Sequence, residues 1–325
     1  MKLPRRQVLA ALAAGAAVPW AARAQAFPSR PIRIVVPFGP GGIADLTARA
    51  VGQKLGEQLG QAIVIENKPG AGGVAAGELV ARAEPDGHTL LLMSNGTAVS
   101  AGLFRKLPFD AQKDFAPVSL LGTFDMAVLV PQDSRLRTLA DLLAQAKAQP
   151  GKLNIATVNV GSTQNLAAEL FKSTAGISVQ VVPFNGTPAV ITALRSGQVD
   201  AAVEILGPVK PQITAKALRA LAVLGDKRPA DLGDVPTAAE TGAGLAGFNV
   251  ASWNALAAPA GTPREVIVRL NRELQLALNQ PDLKKRLADL NVDARPSTPE
   301  QLAGLLGSEI RRWSDVIERA GIPRL

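Results

Sequence analysis

Apolar positions in this chain alternate between two patterns, short β-branched runs and longer stretches with a helical repeat. Ile32–Val36 (IRIVV) is a run bounded by Pro31 and Pro37, which reads as a strand buried on both faces. Gly39-Pro40-Gly41-Gly42 follows at once, and from Ala44 to Leu59 the residues Leu46, Ala50, Val51, Leu55 and Leu59 mark one helix face. The same alternation continues to the end of the chain. Strands are predicted at Ala62–Glu66, His88–Met93, Ala127–Val130, Leu153–Val158, Val179–Phe184, Ala201–Ile205, Leu218–Leu224 and Trp253–Ala257. Helices are predicted up to Arg82 and at Leu139–Gln149, Gln164–Thr174, Pro188–Ser196, Pro263–Asn279, Asp282–Leu290 and Pro299–Arg319. Thr262-Pro263 and Thr298-Pro299 read as helix starts with a Thr cap and Pro at the first helical position.

Regular strand–helix alternation predicts an α/β fold of mostly parallel sheets flanked by helices. A mature chain of about 300 residues is long for one core and suggests two lobes. In such sheets ligands sit beyond the C-terminal strand ends. Four glycine-rich or polar loops fall there: Phe38–Gly42, Ser94–Thr97, Gly161–Gln164 and Phe184–Thr187. A strand feeding a glycine turn into a helix leaves backbone N–H groups at the positive end of the helix dipole, an arrangement suited to a carboxylate or phosphate. Gly41 and Gly42 carry no Cβ, so a ligand can approach their main chain closely. Each loop taken alone is also a plain βα turn. Two loops from each lobe would converge on a single cleft.

The ends and the charge change the picture in one respect. Residues 1–26 hold Lys2, Arg5 and Arg6, an Ala/Leu/Val run to Val18, and Ala24-Gln25-Ala26, the layout of a signal peptide cleaved after Ala26. Arg5-Arg6 fits either a twin-arginine or a general-secretion signal, and both place the product in the periplasm. The formal net charge is +8, and removing Lys2, Arg5, Arg6 and Arg23 leaves +4, scattered along the chain. Scattered charge argues against a nucleic-acid partner. With no Cys and one His, neither a thiolate metal site nor a cysteine nucleophile is available. His88, at a strand start without a nucleophile or orienting partner nearby, reads as structural. Asp45 reads as an acid in a first helix turn, and Arg311-Arg312-Trp313 as a solvated helix face.

The stretches FPSRPIRIVVPFGPGGIADLTAR, IVIENKPGAGG, PDGHTLLLMSNGT, LPFDAQKDFAPVSLLG, PGKLNIATVNVGSTQNLAAELFK, VPFNGTPAVITALRSGQVD, LRALAVLGDKRPADLGDVPTAAETG and WNALAAPAGTP carry a resemblance. Together they cover nearly the whole mature chain, which resembles the Bug-type extracytoplasmic solute receptors of tripartite tricarboxylate transporters. The resemblance implies a two-lobed periplasmic binding protein that closes on a small organic carboxylate, with no cofactor and no catalysis. It implies that the loops matching Phe38–Asp45 and Gly161–Asn165 hold the carboxylate, and that the chain crosses between lobes near Thr123–Val130 and Phe248–Trp253. The expected lobes are 27–125 with 252–325, and 126–251.

The expected ligand-binding residues are Phe38, Pro40, Gly41, Gly42, Asp45, Ser94, Asn95, Thr97, Gly161, Ser162, Thr163, Gln164, Phe184, Asn185, Gly186, Thr187 and Glu204. The expected partners are the carboxylate and membrane permease subunits, with the chain itself a monomer. A ligand sensor presenting its closed form to a signalling protein is the alternative, and an exported carboxylate enzyme a more distant one. Where relatives often carry Tyr-Lys-Gly, this chain has Phe184-Asn185-Gly186. Asn165 and His88 replace a frequent His and Tyr, and Glu204 stands near a common Asp. If Glu204 faces the cleft, a monocarboxylate, or one with an amino or hydroxyl group, is favoured over a di- or tricarboxylate.

Overall fold

The computed structural model describes residues 27–229, 231–242 and 244–325. The signal peptide expected at residues 1–26 lies outside the described residues. Among those described, no helix is long and apolar enough to cross a membrane.

Two three-stranded parallel blocks lie at either end of the strand order. In the first, β1 (Ile32–Val36) sits between β2 (Ile63–Asn67) and β3 (Thr89–Ser94). In the second, β5 (Asn154–Val158) sits between β6 (Gln180–Phe184) and β7 (Ala201–Ile205). Antiparallel strands join them. β4 (Phe115–Pro131) pairs with β9 (Ala251–Pro259) up to Asp125, then from Met126 with β7 and with β8 (Leu218–Val223). One 17-residue strand thus runs through both halves, changing partners between Asp125 and Met126. The return from the second half reaches β9 through Val250, whose N–H donates to Leu224 O.

Only Ala127–Val130 of β4 stood out in the pattern. The remainder carries Pro117 and Gly122 and is irregular at both places, where its register against β9 shifts. Such bulges bend and twist a strand and spoil the period-2 pattern. The short β10 (Asp293–Ala294) packs against β4 at Gly122 and Thr123.

Helices cover the sheets: α1 (Ile43–Leu59), α2 (Val74–Ala81), α3 (Asn95–Leu103), α4 (Leu139–Ala148), α5 (Thr163–Thr174) and α6 (Thr187–Arg195). α7 (Leu206–Thr214), α8 (Arg264–Asn279), α9 (Pro281–Asp289) and α10 (Pro299–Arg319) follow. Two were not anticipated. α3 begins where a loop was expected, since Ser94 and Thr97 form a reciprocal capping box. α7 contains Pro208 and Pro211, residues that argue against a helix from sequence.

Two expectations are corrected. Thr298 caps α10 with Gln301 returning the bond, but Thr262 donates to Pro259 O, and α8 starts from Pro263 without a side-chain cap. Trp313 is not solvated. It shares the buried face of α10 with Leu302, Leu306 and Ile317, and its Nε1 donates to Asn95 Oδ1 at 2.8 Å.

Candidate functional site

Five strands end on one side of the molecule, and each feeds a helix. The junctions β1–α1, β3–α3, β5–α5, β6–α6 and β7–α7 all contribute to the wall of a single cavity of about 30 Å³ between the two halves. From the first half come Phe38, Gly39, Gly42, Ile43, Ala44 and Ser94, with Phe124, Ser252 and Asn254 from β4 and β9. From the second half come Val158, Thr163, Gln164, Gly186, Thr187 and Ile205. Among the described residues, no Lys, Arg or His lines it. Its positive character is that of helix starts, each worth about half a unit charge at its N-terminus.

No side chain caps α1 at Gly42 or α6 at Gly186. The first N–H groups of α1 remain for another acceptor, whereas in α6 Pro188 has no N–H and Ala189 N–H donates to Gly186 O, which leaves that of Thr187. Gly186 sits at φ 95°, a conformation that disfavours any Cβ. The two junctions approach each other across the cleft: a Cβ placed on Gly42 would lie 3.3 Å from Thr187 Oγ1. Beside it, Thr163 Oγ1 and Ser252 Oγ are 3.1 Å apart and buried. A second backbone link joins the halves where Gly72 N–H donates to Val160 O at 2.9 Å.

Glu204 is fully buried one layer behind this wall. Its Oε1 accepts from Gln164 Nε2 and from Ile205 N–H, each at 2.8 Å. Oε2 finds no partner among the described residues. Burial pushes its pKa up to about 7 against the opposing pull of these donors. It is therefore neither a solvated acid nor a wall residue. It holds Gln164, which does line the wall.

The other expected residues divide into three groups. Ser94 and Phe38 line the main cavity and also a narrower glycine-lined space next to it, where Thr97, Gly161 and Ser162 lie. Ser162 caps α5, accepting from Asn165 N–H at 3.1 Å. Pro40, Gly41 and Asp45 belong to the loop but not to the wall. Burial raises the Asp45 pKa, yet hydrogen bonds from Arg49 and Gly41 N–H outweigh it and hold the carboxyl below the usual range. Asn95 is turned to Trp313, and Phe184 and Asn185 flank the cavity without lining it. His88 is buried under the N-terminal segment, accepting from Ser29 N–H at 3.2 Å.

Ser252 and Asn254 were missed. They are two residues apart on β9 and so share a face. Their signal was available as two polar side chains alternating with Ala251, Trp253 and Ala255 in an otherwise apolar strand. A second, wider groove of about 830 Å³ lies on the hinge side, lined by charged side chains including Asp125, Lys227, Lys284 and Arg295. None of the five helix starts opens into it. Among the described residues, no three His, Asp or Glu side chains gather as metal ligands.

The chain is similar to known proteins over most of its length. The family model described as "Tripartite tricarboxylate transporter family receptor" matches residues 47–322. Protein BugT of Bordetella pertussis is 35% identical over 310 residues, covering 95% of this chain and 94% of its own. MatC from Rhodopseudomonas palustris, solved with bound malate, is 37% identical at a TM-score of 0.84, over 90% of this chain and 100% of its own. An R. palustris protein solved with adipate is 32% identical at a TM-score of 0.88, over 92% of this chain and 100% of its own.

Proposed function

Because this chain belongs to the receptor family of tripartite tricarboxylate transporters, we propose that it captures a small organic carboxylate in the periplasm and delivers it to a membrane permease. The observation that carries this reading is the meeting of five helix starts around one cavity between the halves. Uncapped N–H groups at α1 and the partial positive charge of the helix starts suit an anion. Two relatives were solved with small carboxylates, malate and adipate.

In this reading Gly42, Ser94, Thr163, Gln164, Gly186 and Thr187 form the contact set, with Phe38 as a lid over it. Residues 27–125 with 252–325 form one moving body and 126–251 the other, with the signal segment removed after Ala26. The receptor acts as a monomer.

A thermal-shift screen of mono-, di- and tricarboxylates tests the proposal. Ligand at 100 times its dissociation constant should add about 2.7 kcal/mol of stability. A library in which no carboxylate shifts the unfolding transition at millimolar concentration would overturn it.

A further inference from the structure

We propose that Asn254 reads a second, uncharged group on the ligand, one that both donates and accepts hydrogen bonds, such as a hydroxyl or a primary carboxamide. This inference rests on the carboxylate-capture reading and names the ligand class within it. Asn254 is 1% exposed and lines the cavity, yet neither its Oδ1 nor its Nδ2 has a partner among the described residues. A buried amide left wholly unpaired is costly, and such groups in native proteins call for an explanation. Here the backbone offers no freedom to escape. Asn254 sits in the middle of the sheet, opposite Ser94 of β3 on one side and Gly122 of β4 on the other.

Its polar neighbours each make a hydrogen bond elsewhere. Ser252, on the same strand face, meets Thr163, and Ser94 Oγ accepts from Gly96 N–H at 3.1 Å. Gln164 is committed to Glu204. Asn254 is a wall residue whose side-chain oxygen and nitrogen are both buried without a partner among the described residues.

The chemistry of the amide restricts what can satisfy it. An ionised carboxylate only accepts, so it could use Nδ2 while leaving Oδ1 against like partial charge. An ammonium only donates and would leave Nδ2 unpaired. A hydroxyl or a carboxamide does both and can satisfy both atoms. The wall points the same way, because among the described residues no Lys or Arg lines it to offset a second negative charge. The helix starts hold the carboxylate, and Asn254 reads what lies beside it.

Titration calorimetry with matched pairs tests this on the full mature chain. The pairs are propionate and lactate, butyrate and 3-hydroxybutyrate, and succinate and succinamate. In at least one pair the member with the neutral donor–acceptor group should bind about tenfold tighter, the worth of one good hydrogen bond. In Asn254→Leu, of similar volume but without polar atoms, that ratio should fall to about one. The wild-type ratios need no variant, and Asn254→Ala, equally without side-chain polar atoms, supplies a second variant with the same expected loss of preference should the Leu protein fold poorly. Equal affinities within all three pairs, or a preference that survives in Asn254→Leu, would overturn the inference while leaving carboxylate capture intact. Failure of all six probes to bind would remove the capture reading for ligands of this size, and this inference with it.

Discussion

Thr163 Oγ1 and Ser252 Oγ lie 3.1 Å apart, one hydroxyl from the first turn of a helix in one half and one from a central strand of the other. Both are buried, and neither half can place its hydroxyl there alone. The pair therefore reports closure. A hydrogen bond of this kind contributes about 1 kcal/mol. A double-mutant cycle on Thr163→Val and Ser252→Ala should show a coupling of that size in ligand affinity, roughly fivefold. Hinge closure around ligand should also shrink the radius of gyration in small-angle scattering. Additive single variants together with unchanged scattering at saturating ligand would rule out a clamp using this contact.

Gly42 supplies the next test. A Cβ there lies 3.3 Å from Thr187 Oγ1, on the far side of the cleft. Gly42 has φ −84° and ψ 168°, a conformation open to any residue, so Gly42→Val should fold normally. The branched side chain would instead fill the space between two helix starts. Carboxylate affinity is expected to drop by at least about a hundredfold, or about 2.7 kcal/mol, with little change in melting temperature. Undiminished calorimetric affinity in the folded variant would take this junction out of the site.

What was legible in the sequence follows from how each piece is encoded. The junctions after β1, β5 and β6 are written locally, as apolar run, then Gly, Ser or Thr, then helical period. They were read nearly to the residue. The junction after β7 was not, because Pro208 and Pro211 sit inside the helix that follows. β4 was read only in its last third, since Pro117 and Gly122 are tolerated there by register shifts that only the partner strand reveals. Asn254 was hidden for another reason. Its importance lies in bonds it does not make, and no local pattern records those. Asp45 illustrates the converse, a residue in a ligand-like motif whose oxygens are spent on Gly41 and Arg49.

Glu204 makes stability depend on pH in an unusual direction. Its carboxyl is pushed up from 4.5 to about 7 by burial, so between those values the unfolded chain is ionised there while the folded chain keeps its proton. The folded state then binds more protons, and stability falls as pH rises. The loss begins near pH 4.5 and levels off above about 7, and its size is on the order of 3 kcal/mol. Glu204→Gln keeps the acceptor for Gln164 and Ile205 N–H but cannot ionise. Urea unfolding at pH 5 and pH 8 should show a smaller drop for Glu204→Gln than for the wild type. Equal drops would mean that Glu204 does not titrate in this window.

The same carboxyl should couple ligand binding to a proton. Gln164 stands between Glu204 and the cavity, so a bound carboxylate would lie roughly 8 Å away, where like charges at an effective dielectric near 20 repel by about 2 kcal/mol. Ligand binding should therefore keep Glu204 protonated well above pH 7. Below pH 6 the acid already holds its proton and affinity is at its maximum. As pH rises to 8.5 the ligand must recruit that proton, and affinity should weaken by roughly tenfold or more. Calorimetry at pH 7.5 in two buffers of different ionisation enthalpy should show net proton uptake, a fraction of one per ligand. Glu204→Gln should bind with a flat profile over this range and exchange no proton through this group. A wild-type protein that takes up no proton, or a Glu204→Gln variant with the same pH slope, would place the titrating group elsewhere. A rise in wild-type affinity with pH would have the wrong sign for any buried acid beside the ligand.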